Sequence, residues 1–465
     1  MLKKSWGGVL KVLEFGPVAP QPPPYLDFIP PLIQSEADCL SLNIWTPSCD
    51  DKKRPVMFWI HGGSNITGSG LLFNGKNITR RGDIVLVSIN YRLGPLGNFY
   101  FPNATANIGM LDQIAALEWV KDNIQSFGGD RENITLFGES AGATSIGTIL
   151  AVSKAKGLFK RAILQSGVPT SHGYNLSKRK KTAELMLKEL KLKPDDLEEF
   201  RKLPSEKIIE AMIKIRLKTH YTDTWNQITF RPWVDGEILP QHPIKALNEG
   251  YAKEIELIVG TNLEEWKFWH IFNPNFKELD STKLFKAIKR DLRAAGEDEQ
   301  KAAHVINTYK NSREENKLPN KPQDIFDAYT TDLIFHIPSI KLAEAQSKHQ
   351  KNTYMYLFTW RSLFGEFGAM HALEIPFIFN TLFNRDTFFL PKKTEETEAL
   401  SEKMMSSWIT FAKTGNPNYK ENINWPQYET EKRATMIFDN DIRIAEAPLD
   451  KERQMWYGMN MWSQF

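Results

Sequence analysis

Apolar runs of strand length alternate with amphipathic stretches along most of the chain. Eight runs are rich in the residues that favour buried strands: Leu40–Trp45, Pro55–Ile60, Asp83–Asn90, Asn133–Phe137, Arg161–Gln165, Ile255–Gly260, Thr353–Thr359 and Thr435–Phe438. Between the third and fourth runs, apolar residues recur at the spacing of one helix face: Leu111, Ile114, Leu117, Val120 and Ile124. This alternation predicts an α/β fold in which helices cover a mostly parallel sheet.

Two polar stretches interrupt the alternation. One runs from about Ser177 to Pro240 and the other from about Asn273 to Ala328, and both have helical character. We interpret them as insertions over one end of the sheet, where the walls of binding pockets are commonly built. The chain contains no internal repeat or low-complexity tract, and its 465 residues are enough for one large α/β domain or for two or three ordinary ones.

Composition and charge exclude several classes of protein. The 465 residues are 41% hydrophobic and 25% charged, with a formal net charge of +3. No dense basic face suggests nucleic acid as a partner. No run is long and apolar enough for a transmembrane segment, and residues 1–8 lack the apolar core of a signal peptide. As written, the chain predicts a cytoplasmic protein.

The segment from Phe127 to Gly142 carries the clearest chemical signal. A short strand leads into the motif Gly138-Glu139-Ser140-Ala141-Gly142, and helix-forming residues follow it. A G-x-S-x-G motif places its serine on a sharp, exposed turn only in this strand-to-helix context. Ser140 is therefore predicted to be a nucleophile.

A nucleophilic serine needs a base to take its proton and an acid to orient that base. Among nine histidines, His371 has the best context because it follows the late Thr353–Thr359 run. The alternative interpretation is that His371 is an ordinary histidine of a loop or of the core, which would have the same sequence context. Glu264 and Glu265 both follow the Ile255–Gly260 run, and the residues alone do not decide between them; the pair also resembles an ordinary acidic helix start.

A glycine-rich loop follows the second strand run. It reads His61-Gly62-Gly63-Ser64-Asn65 and offers closely spaced backbone N–H groups, which are the donors that a developing oxyanion requires. The N–H of Ala141 would complete the set. The alternative interpretation is a simple glycine-rich exit from a strand.

Together these segments resemble the type-B carboxylesterases, the cholinesterase-like branch of the α/β-hydrolase fold. Beyond the serine motif, the likeness is carried by Glu36–Pro47, Asn90–Gly94, Gln165-Ser166-Gly167, Gly260–Glu265, Met370-His371 and Gly415-Asn416-Pro417. The resemblance runs from about Trp6 to the end of the chain. It implies a single domain of the α/β-hydrolase fold spanning residues 1–465 and the triad Ser140, Glu265 and His371. It also implies Gly63, Ser64 and Ala141 as oxyanion donors.

Three departures from the family pattern affect the expectations. The pattern begins further upstream than Met1, so we expect a chain truncated at its N-terminus relative to the family. The usual partner of Cys39 would lie in that missing part, so Cys39 and Cys49 are expected to be free thiols. The oxyanion loop has Ser64 in place of a third glycine, which narrows the hole.

The predicted activity is hydrolysis of small to medium uncharged carboxylic esters through an acyl-serine intermediate. Aromatic residues near the catalytic loops are candidates for the substrate pocket or, equally, for the core: Trp225, Phe230, Trp233, Trp266 and Phe268. No tryptophan precedes Cys39 where cholinesterases carry one, so choline esters are not expected substrates. No metal or cofactor is implied. The alternatives are a lipase-like interfacial esterase and a non-catalytic cholinesterase-like binding module.

Overall fold

A nine-stranded sheet runs through the computed structural model, which describes residues 7–23, 32–169, 176–217, 230–272, 279–362, 367–383, 391–419 and 424–459. The strands are β1 (Leu42–Trp45), β2 (Arg54–Ile60), β3 (Val85–Ile89), β4 (Gly129–Glu139), β5 (Arg161–Gln165), β6 (Glu256–Asn262), β7 (Thr353–Phe358), β8 (Ala434–Phe438) and β9 (Arg443–Glu446). Their spatial order is β1-β3-β2-β4-β5-β6-β7-β8-β9. Only the edge strands β1 and β9 pair antiparallel to their neighbours.

This sheet confirms the predicted mostly parallel α/β architecture. All eight predicted strands are present, with ends that differ from the predicted ends by a few residues. The strand β9 was not predicted. Its four residues are mostly exposed, so it lacks the apolar run that identifies an inner strand.

The described helices lie in the connections between strands, except the last helix, which follows β9. They are α1 (Lys76–Gly82), α2 (Gly94–Asn98), α3 (Ile108–Asn123), α4 (Ala141–Ile149), α5 (Leu176–Leu190), α6 (Leu197–Arg201), α7 (Ser205–Leu217), α8 (Pro243–Asn248), α9 (Ser281–Ala294), α10 (Ala302–Glu315), α11 (Pro322–Thr331), α12 (Ile337–Ser347), α13 (Ile375–Phe379), α14 (Glu395–Thr414) and α15 (Asp450–Tyr457). Short 3₁₀ segments cover Gly70–Leu72, Ile124–Phe127, Ser153–Ala155, Glu265–Phe272 and Glu299–Lys301. A π-helical turn, Asp332–His336, joins α11 to α12.

The two polar stretches are helical in part. The first contains α5, α6 and α7, and the second contains α9, α10 and α11. Residues 230–242 are irregular, contrary to the prediction, because Pro232 and Pro240 each remove a backbone donor and disrupt a helix. Residues 218–229 and 273–278 lie outside the described residues.

Alternate residues of the inner strands face two separate apolar layers. On β2, Val56, Phe58 and Ile60 belong to one buried cluster, whereas Met57 and Trp59 belong to the other. Successive side chains of a strand point to opposite faces, so a strand buried on both faces is apolar throughout. This explains why the inner strands read as continuous apolar runs rather than alternating ones.

The register of the sheet brings the functional segments to one edge. Ile60 pairs with Gly138, Gly138 with Leu164, and Leu164 with Val259. Because these strands are parallel, the residues that follow them emerge side by side at the carboxyl edge. The glycine-rich loop, Ser140 and the Glu264-Glu265 pair are all among those residues.

Candidate active site

The nucleophile elbow consists of the end of β4, Ser140 and the start of α4. Ser140 has φ 56° and ψ −120°, a strained backbone conformation for a residue with a side chain. Close packing enforces this turn. A Cβ on Gly142 would lie 1.9 Å from the Ile60 carbonyl oxygen, and one on Gly167 would lie 2.0 Å from the Ser140 carbonyl oxygen. The half-buried Ser140 is thus fixed at the carboxyl edge of the sheet.

The predicted acid and base are in direct contact. His371 Nδ1 lies 2.6 Å from Glu265 Oε2, and the other carboxylate oxygen accepts a 2.8 Å hydrogen bond from the Asn262 N–H. The His371 N–H also donates to the Glu265 carbonyl oxygen. Both side chains are buried. Glu265 follows β6 and His371 follows the neighbouring strand β7, so the sheet itself brings them together.

A second carboxylate approaches the other side of the imidazole. Glu139 Oε1 lies 2.9 Å from His371 Nε2, although the contact lacks the alignment of a hydrogen bond. Within the described residues, no hydrogen bond joins Ser140 to His371. Burial alone would lower the pKa of His371, but the charges of Glu139 and Glu265 outweigh burial and raise this pKa well above its ordinary value. Burial raises the pKa of Glu139. Both shifts favour a proton held between these two groups.

A third buried carboxylate, Glu374, completes the acidic surroundings of the base. It accepts hydrogen bonds from Gln165 Nε2 at 3.1 Å and from Asn262 Nδ2 at 2.8 Å. Burial raises its pKa to about 7, and the nearby charges of Glu139 and Glu265 act in the same direction. We call Glu139, Glu265, Glu374 and His371 the catalytic cluster. It contains three carboxyl groups and one imidazole.

The glycine-rich loop after β2 borders the nucleophile. A Cβ on Gly62 would lie 3.1 Å from the Cβ of Ser140. The next two residues have positive φ, 103° at Gly63 and 58° at Ser64. Among the described residues, the backbone N–H groups of Gly63, Ser64 and Ala141 have no acceptor. This geometry leaves three donors free beside Ser140, as an oxyanion hole requires.

Buried contacts hold this loop in place. The ring of His61 stacks on Tyr91 with centroids 4.4 Å apart, and the Tyr91 hydroxyl donates to the His61 carbonyl oxygen at 2.7 Å. Burial lowers the pKa of His61 to about 4, so its ring is neutral near pH 7. The Asn65 carbonyl oxygen accepts from the Gly94 N–H. The loop therefore keeps its donors oriented without help from a ligand.

The five predicted pocket residues lie in different surroundings. The ring of Phe268 lies 5.8 Å from that of His371. Trp266 is buried in the main core, and its ring stacks on Trp269. Phe230 is packed in a cluster that includes residues of α5, α6 and α7, and Trp233 is bonded through its backbone to Asn107. Trp225 lies outside the described residues.

Two aromatic residues near the base were not predicted. The rings of Trp269 and Phe335 lie 5.1 and 4.9 Å from that of His371. Trp269 stands three residues after Trp266 in a 3₁₀ segment, where such pairs lie on one face. The three-residue spacing from Trp266 was the sequence signal that could have identified Trp269. Phe335 lies in the π-helical turn, which the sequence does not reveal.

The model of the carboxylesterase family matches residues 2–456. The chain belongs to the carboxylesterase family, and its activity is that of a serine carboxylic ester hydrolase. The comparisons do not favour the interfacial lipase or the non-catalytic module.

Individual relatives are similar over most of their length. The para-nitrobenzyl esterase of Bacillus subtilis is 35% identical over 97% of this chain and 89% of its own. The phenmedipham hydrolase of Pseudarthrobacter oxydans is 32% identical over 94% of this chain and 87% of its own. A crystal structure of a carboxylesterase from Geobacillus stearothermophilus superposes with a TM-score of 0.82, at 34% identity, over 95% of this chain and 89% of that one.

No helix among the described residues is long and apolar enough to cross a bilayer. In the same ranges, no group of three or more His, Cys, Asp or Glu side chains could hold a metal ion. Cys39 is buried, Cys49 is exposed, and each is a free thiol.

Proposed function

We propose that this protein hydrolyses small to medium uncharged carboxylic esters through an acyl-enzyme formed on Ser140. The observation that carries this proposal is the 2.6 Å contact between His371 Nδ1 and Glu265 Oε2 beside the Ser140 elbow. A carboxylate in this position fixes the tautomer of the histidine and stabilises the imidazolium that forms during the reaction. Ser140, Glu265 and His371 would then be the catalytic triad.

The first half of the reaction transfers the acyl group to the enzyme. The Ser140 hydroxyl attacks the ester carbonyl while neutral His371 accepts its proton at Nε2. Gly63, Ser64 and Ala141 donate their N–H groups to the oxyanion. The alcohol then leaves with the proton from His371, and water attacks the acyl-enzyme under the same base.

The surroundings of the base favour uncharged substrates. Phe268, Trp269 and Phe335 present aromatic rings around His371. Apolar walls of this kind bind aryl and alkyl groups by burying their surface. The negatively charged cluster beneath them disfavours an anionic acyl group. The name of the Bacillus subtilis relative points to para-nitrobenzyl esters, which are the first substrates to test.

The test compares two serines of the same region. Ser140→Ala should abolish hydrolysis of a para-nitrobenzyl ester, a loss of about 10⁴-fold or more in kcat. Ser145→Ala is the matched control, because Ser145 is buried in α4 and bonded to Gln113. It should keep wild-type activity. Fluorophosphonate labelling followed by peptide mass spectrometry should modify Ser140 alone; an unlabelled Ser140 in folded protein would contradict the proposal.

Two broader statements belong with this proposal. We propose that the chain forms one domain, which is supported by the single sheet that contains strands from β1 to β9. Limited proteolysis would test it, because a second domain would be released as a stable fragment. We also propose a cytoplasmic location, which fractionation of the source cells would test.

A further inference from the structure

Glu264, the neighbour of the predicted catalytic acid, contacts the loop that carries His371. Its carboxylate oxygen Oε2 accepts a 3.0 Å hydrogen bond from the Ala369 N–H. Its own backbone N–H donates to the Ala369 carbonyl oxygen at 3.0 Å. A Cβ on Gly368 would lie 2.0 Å from Oε2, so the loop backbone passes directly over the carboxylate. Glu264 therefore holds the loop two residues before His371.

Cations fix this carboxylate in place. Oε1 lies 2.9 Å from Lys267 Nζ, 3.0 Å from Arg361 Nη2 and 4.0 Å from Arg313 Nη2. Lys267 also lies 3.8 Å from Asp324. Glu264, Lys267 and Arg313 are all buried. Burial alone would raise the pKa of Glu264, but Lys267 and Arg361 hold it below its ordinary value, so the group stays ionised near pH 7.

The two carboxylate oxygens of Glu264 have different partners. Oε1 is bound by cations on Lys267 and Arg361, and Oε2 is left to bind the loop. Because a side chain fixed at one end positions whatever it bonds at the other, the contact restricts the path of the loop rather than merely covering it. We refer to Glu264, Lys267, Arg361 and the Ala369 N–H as the loop anchor.

We propose that Glu264 is a positioning residue for the ester hydrolysis, which holds His371 in line with Ser140 through the loop anchor. The inference rests on the proposed function of the triad. Glu264 touches neither the substrate nor the reacting atoms. A displacement of about 1 Å at a reacting group lowers the rate by about 100-fold, so a loosened loop should reduce turnover while substrate binding persists.

The experiment uses three variants of the full chain. Glu264→Leu removes both the acceptor and the charge, and Glu264→Gln keeps an acceptor for the Ala369 N–H. Glu256→Leu is the matched control. Glu256 begins the same strand, β6, at the opposite end of the sheet, and it is ion-paired with Arg161 and hydrogen-bonded to Asn352. Active sites are counted by fluorophosphonate titration, so that kcat is expressed per folded site.

We expect Glu264→Leu to lower kcat by about 10- to 100-fold while KM changes by less than about twofold. Glu264→Gln should recover a large part of kcat, because it restores the bond to the loop. Glu256→Leu should lower the unfolding temperature without lowering kcat per site. A kcat for Glu264→Leu within about threefold of wild type would overturn the inference, and so would equal losses in Glu264→Leu and Glu256→Leu.

A substitution in the loop itself also tests the contact between Glu264 and the loop. Gly368 has φ 51° and faces Oε2, so Gly368→Ala would force the anchor apart even if Glu264→Leu failed to fold. It should reproduce the selective loss of kcat, and an unchanged kcat would contradict the inference. Failure of the proposed function would look different, because wild-type Ser140 would then remain unlabelled by fluorophosphonate. Failure of this inference would leave labelling equally fast in wild type and variants.

Discussion

Glu264 and Glu265 are adjacent, have the same side chain and are almost completely buried, yet their surroundings are opposite. Glu264 is 2% exposed and faces Lys267, Arg361 and Arg313. Glu265 is 0% exposed and shares the catalytic cluster with Glu139, Glu374 and one imidazole. The first carboxylate is compensated by an excess of cations, and the second lies in an excess of negative charge.

The difference shows how environment assigns a role to a carboxylate. A buried carboxylate whose charge is matched by neighbouring cations stays ionised and acts as a structural contact, because the ion pairs offset its loss of hydration. A buried ion in an uncompensated cluster shifts the protonation of every group beside it. The carboxylates beside His371 accordingly raise its pKa.

The largest effect is expected at the uncompensated carboxylate. Glu265→Gln should lower kcat by about 10³- to 10⁴-fold, because the amide cannot stabilise the imidazolium and favours the wrong tautomer. Steady-state kinetics on a para-nitrobenzyl ester measures this loss. Glu264→Gln is the control, and its kcat should fall by far less than tenfold. Equal losses at the two positions would mean that the two environments do not separate the roles.

Removing a cation beside Glu264 should destabilise the folded protein. Lys267→Met leaves Glu264 with the partly exposed Arg361 and the more distant Arg313, and we expect the free energy of unfolding to fall by about 3 kcal/mol at pH 8. Glu264 has a lowered pKa, so its ion pairs stabilise the fold above its ordinary pKa and weaken as pH falls. The loss should therefore shrink toward pH 4. Lys214→Met, at an exposed pair with Glu210, is the control and should leave the free energy of unfolding in urea denaturation almost unchanged.

The catalytic cluster should show the opposite dependence on pH. The pKa of Glu374 is raised to about 7, so the folded state binds a proton that the unfolded state releases near the ordinary value of 4.5. Wild-type stability should fall, relative to Glu374→Gln, by up to about 3 kcal/mol as pH rises from 4.5 to 7, and stay level above that. Urea denaturation of both proteins across this range measures the difference. A difference independent of pH would show that Glu374 is not held protonated.

The smallest expected effect concerns the pH dependence of the reaction. Neutral His371 is the base, so kcat/KM should decline below the raised pKa of this residue. The facing charges are Glu139 at Nε2 and Glu265 at Nδ1. Glu139→Gln removes one of them and should move the acidic limb of the profile to lower pH by about one unit or more. An unmoved limb would indicate that Glu139 does not control the base.

Much of the fold could be predicted because its signals are local. The inner strands are apolar runs, and the elbow is encoded within a few residues around Ser140. The pair Glu264-Glu265 could not be separated in this way, since the two residues follow the same strand by nearly the same number of positions. Only the family resemblance selected Glu265. What distinguishes them physically is the side to which each side chain turns. That depends on Arg361 and His371 from distant segments as well as on the nearby Lys267.

The pocket was the least predictable part for a related reason. Trp266 and Trp269 are both aromatic and close in sequence, but the 3₁₀ segment buries one beneath the other. Phe335 lies in the π-helical turn that joins α11 to α12, and no residue pattern in the sequence marks that turn. Chain position and the family resemblance indicate aromatic residues near the catalytic loops, whereas the individual places of these residues are set by tertiary contacts.

The assembly of the triad across the parallel strands has a consequence for folding. Glu265 and His371 are 106 residues apart and meet only when β6 and β7 pair. Such long-range parallel pairing forms slowly, because the entropy of loop closure is lost before the contacts stabilise the structure. The reactivity of Ser140 toward a fluorophosphonate should therefore appear late in refolding, after the recovery of helical signal. In this chain the active site serves as a reporter of completed sheet formation.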